Sequence, residues 1–398
     1  MTKGESPGDA YTETLARIQA QHRSISKLGM DVLMWVSHAE RPLHVDELCH
    51  ALGVEGSTDL DTGNIPGIEI LLACSLGLVT VEESSSTVRL VHPILQEYLS
   101  NNTILFPNPH SILAEVCLTY LNFPHVRLFR PTLGSVPPTA PFVVYASCHW
   151  GTHARLKTTA IVKTLAIKLL DRYEEHISSK ALLLHDVKVE EQPFAGDGAP
   201  IGFTGLHGAA HFGCVEVAIA ILETDKGDVQ ATDFHGSTAI AWASRRGHEK
   251  MVRMLLERGH TNSYTPSTEY TSTLLLWSAE SGHEGVMRIL LERNDINPDK
   301  QGRQGRTPLS WVSGSGHETV ARLLLAREDV NPDKPDKWCR TPLSWASMSG
   351  HEGVVRTLLA RNDVNPDKLD KNHRTPLSWA SESGHETGGK ATACTGGC

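Results

Sequence analysis

The sequence lacks long apolar runs: no stretch of its 398 residues approaches the roughly 18 apolar residues that a membrane-spanning helix needs. Its first residues, MTKGESPGDAYTETLARIQ, also lack the apolar core of a secretory signal peptide. These two absences argue against a membrane or secreted protein. They predict a soluble intracellular chain, cytoplasmic or nuclear, with no membrane partner.

The sequence also lacks paired cysteines and a basic stripe. Its eight cysteines include no CxxC pair, which fits reduced thiols better than a disulfide framework. The formal charge is -9; residues 1–200 hold 15 Lys/Arg against 22 Asp/Glu, and residues 201–398 hold 22 against 24. Because neither half is basic, we predict no nucleic-acid partner.

What the sequence does contain is a repeat that is marked by Gly-His pairs. The pairs are Gly247-His248, Gly282-His283, Gly316-His317, Gly350-His351 and Gly384-His385. Their spacings are 35, 34, 34 and 34 residues, and Gly213 stands 34 residues before the first pair. Self-similarity at a fixed period between 20 and 50 residues predicts a solenoid of stacked units.

Each unit has the pattern of a helix pair, as in RTPLSWASMSGHEGVVRTLLARNDVNPDK, which starts at Arg340. Thr341 is a good N-cap, and Pro342 suits the first helical turn because its missing N–H leaves no hydrogen bond unmade. Gly350 can end the first helix at a positive φ. The apolar residues of VVRTLL then recur at helical spacing, which predicts a second helix before the NPD turn.

Over residues 201–386 these units resemble the ankyrin repeat, with its T-P-L-H, G-H, V-V-x-x-L-L and D-V-N motifs, in about five copies plus a truncated sixth. The resemblance implies a mainly α fold and an α-solenoid surface that binds a protein partner. The units depart from the family pattern at several positions, and in the third unit Thr273-Leu274-Leu275 replaces T-P-L. Serine replaces the His of T-P-L-H at Ser310, Ser344 and Ser378, which predicts less stiffness between repeats, and Cys339 and His373 replace the glycine of the hairpin tip.

Two sets of positions in the repeat are candidate binding residues. One tryptophan recurs at a single register position: Trp242, Trp277, Trp311, Trp345 and Trp379. It is interpreted either as stacking core or as a part-exposed aromatic ladder on the concave face. The two residues before each Gly-His face the groove in the ankyrin fold, and there we predict partner contacts at His211, Phe212, Arg245, Arg246 and Met348, with a solvated face as the alternative.

The first part of the chain has a different pattern. LGMDVLMWVSHA, HVDELCHALG and IEILLACSLGL predict three short helices, and the alternating VTVEESSSTVRLVH predicts a β-hairpin. Three helices and a hairpin make a winged helix, but the third helix has no Lys or Arg with which to read DNA. The predicted boundaries are residues 1–27 for a tail and lead helix, 28–122 for the winged-helix domain, 123–200 for a helical connector, 201–386 for the repeats and 387–398 for a disordered tail.

Residues 11–125 resemble the winged helix of fungal NACHT–ankyrin (NLR-like) proteins, which is the type found beside GPI inositol-deacylase. In that family a nucleotide-binding NACHT domain precedes the winged helix, so the chain is expected to be the C-terminal part of such a protein. The resemblance implies a NACHT domain as a partner in trans. It also implies a nucleotide-sensing role for His92, which Gln96-Glu97-Tyr98 follows at the family spacing, although Pro93 departs from it.

Catalytic motifs are weak in this sequence. Ser6 lies in GESPG and Lys390 in GHETGGKA, but neither segment has the preceding strand and following helix that a nucleophile elbow or a phosphate loop needs. Cys148, His149 and His153 could share a helix face as metal ligands, although helix packing is the preferred interpretation. We therefore predict a non-enzymatic protein without cofactor or metal. The alternatives are a trans-acting fragment of a nucleotide-binding ATPase and, more weakly, a hydrolase related to GPI inositol-deacylase.

Overall fold

The computed structural model describes residues 7–54, 62–130, 137–186, 201–224, 227–261, 268–293 and 296–385. Helices dominate the described residues and one small sheet accompanies them, as predicted. The chain divides into two compact units, Met1–Gly236 and Ser237–Cys398.

The first unit begins with helices that surround a three-stranded sheet. The elements are α1 (Pro7–Gln19), α2 (Arg23–His38), β1 (Leu43–His44), α3 (Val45–Leu52), α4 (Ile68–Cys74), β2 (Val79–Glu82), β3 (Thr87–Leu90) and α5 (Pro93–Asn101). The predicted hairpin is β2–β3, and β1 adds a third antiparallel strand in the order β1-β3-β2. Strand β1 has only two residues, which are too few to show the alternating pattern of a strand in the sequence.

The core of this part lies around α2. Val32, Leu33 and Trp35 of that helix are buried. The Trp35 ring lies edge-on to Phe142 and Tyr145, with centroids 5.6 and 6.0 Å apart. Because these two aromatics belong to the connector, the winged helix and the connector share one apolar core.

The connector and the first repeat complete the first unit. They follow α6 (Pro109–Leu121), which ends the predicted winged-helix domain. They comprise α7 (Pro124–Arg127), α8 (Val143–Leu156), α9 (Ala160–Leu170), α10 (Ile177–Asp186), α11 (Gly205–Phe212) and α12 (Val215–Leu222). Helices α6 and α8 pack closely against each other, and α8 also packs against α10.

The second unit consists of stacked helix pairs. They are α13 (Ala239–Arg245) with α14 (Glu249–Thr261), α15 (Thr268–Ser281) with α16 (Glu284–Leu291), α17 (Pro308–Ser315) with α18 (Glu318–Leu325), and α19 (Pro342–Ser349) with α20 (Glu352–Leu359), followed by α21 (Pro376–Glu382). The first helices of successive pairs pack on one another, and so do the second helices. Each pair therefore completes its apolar core against its neighbours.

The predicted helix ends form as the local chemistry requires. Thr341 accepts a hydrogen bond from the backbone N–H of Ser344 at 3.2 Å, and Pro342 occupies the first turn. Gly350 ends α19 at φ 75°. A side chain there would also collide with the next unit, because an added Cβ would lie 2.6 Å from His385 Nδ1. Glycine is therefore required at this position both by the backbone and by the space available.

Hydrogen bonds between repeats are present despite the serine substitution. Ser344 pairs with Thr341 of its own repeat at 3.2 Å and does not reach the next unit. The His of three Gly-His pairs makes the bridge instead: Nε2 lies 2.8 Å from Arg245 O for His283, 3.2 Å from Glu280 O for His317 and 3.1 Å from Gly314 O for His351.

Candidate protein-binding surface

The recurring tryptophan occupies two kinds of environment. Trp242 is buried, whereas Trp277, Trp311, Trp345 and Trp379 are half-buried. Trp242 is therefore part of the stacking core, whereas the tryptophans of the later repeats form a part-exposed aromatic ladder.

Arginine side chains lie between these rings. The Arg306 Cζ is 3.7 Å from the Trp311 ring centroid and 3.9 Å from that of Trp345. The guanidinium is buried and donates from Nη2 to the carbonyl oxygen of Ser310 at 2.8 Å. Burial lowers the pKa of Arg306 to about 10, so it stays charged at neutral pH. A cation held between two aromatic faces gains cation–π attraction, which offsets its desolvation.

The same arrangement continues in the next repeats. Arg340 Cζ lies 4.0 Å from the Trp345 centroid and 4.2 Å from that of Trp338, and Arg374 Cζ lies 4.5 Å from the Trp379 centroid. The Trp345 ring thus contacts two guanidinium groups. Tryptophan rings and guanidinium groups therefore alternate in space from Trp311 through Arg306 and Trp345 to Arg340.

A buried carboxylate fixes the rings in place. Asp336 Oδ2 accepts from Trp345 Nε1 at 3.2 Å and from Arg340 Nε at 3.1 Å, while its Oδ1 accepts from the backbone N–H of Trp338 at 2.8 Å. Asp370 accepts from Trp379 Nε1 at 3.1 Å in the same way. One aspartate in each of these repeats therefore connects the hairpin tip to the indole.

The hairpin tip between α18 and α19 exposes a residue that the sequence analysis missed. Trp338 is half-exposed, and the Lys337 Nζ lies 4.2 Å from its ring centroid. Cys339 follows at φ 61° and His373 takes φ 56° one repeat later, so the tips keep the left-handed backbone without glycine. The available sequence signal was an aromatic residue, Trp338, at the tip of the hairpin.

The residues before Gly-His form what we call the pre-glycine surface. It comprises Arg245, Arg246, Glu280, Ser281, Gly314, Ser315, Met348 and Ser349, which are half-buried or exposed. Three of the predicted contacts, Arg245, Arg246 and Met348, lie here, and partial burial lowers the pKa of Arg245. Their role as partner contacts remains a prediction.

The other two predicted contacts on the repeats, His211 and Phe212, lie in the core of the first unit. They are 3% and 4% exposed, and the Phe212 ring packs 4.9 Å from that of Trp150 on α8. An added Cβ on Gly151 would lie 2.1 Å from Phe212 Cγ, so glycine on α8 makes room for this ring. The position of Phe212 in the repeat had placed it in the groove, but in the first repeat helix α8 covers this ring. We therefore remove both residues from the surface.

His92 lies on the surface at the start of α5. Its Nδ1 accepts a hydrogen bond from the backbone N–H of Ile94 at 3.2 Å, which caps the helix. Val91 and Ile94 on either side are also exposed, at 48% and 46%. The described geometry is that of a helix cap, and the nucleotide-sensing role stays a prediction.

The three helix residues that we considered as metal ligands do not converge. Cys148 Sγ lies 3.9 Å from the carbonyl oxygen of Ala181, and the His149 ring lies 4.7 Å from that of Tyr145. His153 points elsewhere: its Nδ1 is 2.9 Å from His110 Nδ1 and 3.8 Å from Glu40 Oε1. Glu40, His110 and His153 lie far apart in sequence, so no local spacing could have revealed this group.

The weak catalytic motifs and the tail fall largely outside the structural description. Ser6, Lys390 and the predicted disordered tail, residues 387–398, all lie outside the described residues. Among the described residues, no helix is long and apolar enough to cross a bilayer.

Comparison with known families agrees with this geometry. The family model for ankyrin repeats matches in three copies, over residues 174–265, 260–336 and 328–390, which together cover more than half of the chain. The chain belongs to the ankyrin-repeat family. The model of the winged helix domain of GPI inositol-deacylase matches residues 16–108 of this ankyrin-repeat protein. No curated protein matches it.

The two matches confirm the predicted order of a winged helix followed by ankyrin repeats. Ankyrin repeats are scaffolds for protein interaction, since adjacent units build one extended surface from variable positions on a constant frame. The match to GPI inositol-deacylase concerns its winged helix domain.

Proposed function

We propose that this chain is a non-enzymatic scaffold that binds a protein partner through its ankyrin repeats, and that its winged helix regulates this binding as in fungal NACHT–ankyrin signalling proteins. The observation that carries the proposal is a constant frame with a varied surface. The Thr-Pro caps, Gly-His bridges and Asp–Trp hydrogen bonds recur, whereas the pre-glycine surface changes from one arginine pair to Glu280 and then to Met348. A frame that repeats while one exposed position varies is what partner recognition requires.

The chemistry of the surface supports a protein as the partner. Trp338 with Lys337 and Arg340 combines a half-exposed aromatic ring with cations, and the residues that dominate protein interfaces are enriched in Trp and Arg. Met348, half-exposed on the same repeat, has a flexible thioether that adapts to apolar surfaces. An anchor of this kind suits a groove or a helix on a folded partner better than a small ligand.

The test compares two triple variants of the full chain. Arg245→Ala/Arg246→Ala/Met348→Ala alters the pre-glycine surface. Arg288→Ala/Arg322→Ala/Arg356→Ala removes exposed arginines that pair with glutamates on the second helices. Quantitative affinity capture from the source cells should lose a defined protein with the first variant and retain it with the second. Equal capture by wild type and by the first variant, with helix content unchanged, would remove this surface from the proposal.

A second candidate is a regulatory fragment that acts on a nucleotide-binding chain in trans. The exposed position of His92 between Val91 and Ile94 favours it, because such a residue can reach a NACHT domain. Binding of a purified NACHT domain from the same source should weaken with His92→Ala and not with His44→Ala, a control histidine that also precedes a helix. Equal binding by both variants would leave the ankyrin surface as the proposed binding site.

The absence of enzyme activity is part of the proposal. The match to GPI inositol-deacylase is a match to its winged helix domain, over residues 16–108. The purified chain should hydrolyse neither ATP, GTP nor a GPI-linked inositol ester. Turnover that Ser6→Ala or Lys390→Ala abolishes would show that the chain is an enzyme.

A further inference from the structure

Three potential metal ligands meet in the first unit from three separate elements. Glu40 lies between α2 and β1, His110 is in the first turn of α6, and His153 is in the last turn of α8. The two Nδ1 atoms are 2.9 Å apart, and Glu40 Oε1 is 3.8 Å from His153 Nδ1. One ligand atom from each residue lies within 4.8 Å of the other two.

These separations are close to those of a bound zinc ion. With Zn–N and Zn–O distances near 2.1 Å and tetrahedral angles, neighbouring ligand atoms lie about 3.4 Å apart. The His110–His153 separation would open by about 0.5 Å, and the Glu40–His153 separation would close by about 0.4 Å. Rotation of the Glu40 side chain, which is one-third exposed, and of the half-buried His110 can provide these shifts.

The surroundings hold His153 in an orientation suited to a ligand. Its side chain is fully buried, and its Nε2 lies 3.0 Å from the Tyr145 hydroxyl. That hydroxyl also accepts from the backbone N–H of Glu40 at 3.1 Å, so it links two of the three candidate ligands. If Nδ1 bound a metal, Nε2 would carry the proton and donate to Tyr145. A hydrogen bond to the second ring nitrogen is the usual support of a metal-bound histidine.

The alternative is that the group only packs. Without a metal, one imidazole donates from Nδ1 to the other, and this hydrogen bond satisfies both atoms. In that arrangement Glu40 Oε1 lies 3.8 Å from the same His153 Nδ1, which is beyond hydrogen-bond distance. A divalent ion would instead bring all three groups into one coordination sphere.

We propose that Glu40, His110 and His153 form a binding site for a divalent transition-metal ion, with Zn²⁺ as the preferred ion and water as its fourth ligand. Two imidazoles and one carboxylate favour Zn²⁺ over Mg²⁺ or Ca²⁺, which prefer oxygen ligands. A bound ion would join the α2–β1 loop, α6 and α8. It would thereby tie the winged helix to the connector and stabilise the first unit.

The experiment compares zinc affinity among variants of the full chain. The chain holds 21 histidines and eight cysteines, so total zinc uptake does not identify a site. Metal-free wild type, Glu40→Gln, His110→Gln and the control His149→Gln are titrated with Zn²⁺ against a chromophoric chelator. His149 is on the same helix as His153, and its ring also contacts Tyr145, but it is not one of the three ligands.

We expect the tightest site to weaken about 100-fold or more in Glu40→Gln and His110→Gln and to stay unchanged in His149→Gln. Zn²⁺ should raise the melting temperature of wild type and of the control only. Co²⁺ should give the visible absorption bands of a four-coordinate ion in the same two proteins. Equal zinc affinity and equal thermal shifts in all four proteins would overturn the proposal, and so would a loss confined to His149→Gln.

Discussion

The imidazole of His351 joins two successive repeats, because its Nε2 donates a hydrogen bond to the carbonyl oxygen of Gly314, 3.1 Å away. The ring also fills the space beside Gly316, where an added Cβ would lie 2.6 Å from His351 Nδ1. The glycine of one repeat and the histidine of the next therefore form one structural unit, which is why the two residues recur with the same period.

His351→Ala should lower the free energy of unfolding by about 1–2 kcal/mol, since a half-buried carbonyl loses its partner and the ring leaves a gap. His351→Gln should recover part of this loss, because its side-chain amide can donate to the same oxygen. Denaturant unfolding that is followed by tryptophan fluorescence measures both variants. If His351→Ala proved as stable as wild type, the bridge would contribute nothing to the stack.

Arg306 should contribute to stability through its position between two indoles. Arg306→Ala removes two cation–π contacts and the hydrogen bond to Ser310, and we expect a loss of about 2 kcal/mol. The matched change Arg356→Ala affects only an exposed i,i+4 pair with Glu352 and should cost less than about 0.5 kcal/mol. The emission maximum of the tryptophans should shift in the first variant and not in the second. Similar losses in both variants would mean that the stacking is energetically neutral.

Local features of the repeats were predictable from sequence, and contacts between distant segments were not. The caps at Thr341 and Gly350 depend on neighbouring residues, so the motif reveals them directly. The position of Arg306 between Trp311 and Trp345 depends on how one repeat packs on the next. A short stretch of sequence carries no information about that packing. The position of Phe212 within the repeat likewise predicted an exposed groove residue. The prediction was wrong because the ring that covers Phe212, Trp150, is distant in the sequence.

The first unit should lose stability as the pH falls below about 6.5, and His211 should account for part of that loss. Burial lowers the pKa of His211 to about 3, whereas the unfolded chain has an ordinary histidine pKa near 6.5. Between these values the unfolded state binds a proton that the folded state does not, so acid favours unfolding. Above pH 6.5 both states are neutral and the effect vanishes.

One such histidine lowers the free energy of unfolding by about 2–3 kcal/mol between pH 7.5 and pH 4.5. His211→Leu should therefore flatten the dependence of the unfolding free energy on pH between 7.5 and 4.5. His235→Leu, which alters an exposed histidine, should leave that dependence unchanged. If the unfolding free energy of wild type and of His211→Leu changed equally with pH, the His211 ring would take up its proton at the same pH in the folded and unfolded states.

The last described repeat should exchange its amide hydrogens faster than the one before it. Helix α21 repeats the sequence of α19 and has the same cap, with Thr375 accepting from the backbone N–H of Ser378 at 3.1 Å. Burial nevertheless differs, since Leu343 of α19 is fully buried whereas Leu377 of α21 is 37% exposed.

In a stacked array the stability of a unit depends on its intrinsic term and on its contacts with its neighbours, so weaker burial permits local opening. Hydrogen exchange with mass spectrometry on the 398-residue chain should show faster exchange for residues 375–383 than for residues 341–349. Because the two segments have nearly the same sequence, intrinsic exchange rates hardly differ and each serves as the control for the other. Equal protection would contradict this prediction and show that α21 opens no more readily than α19.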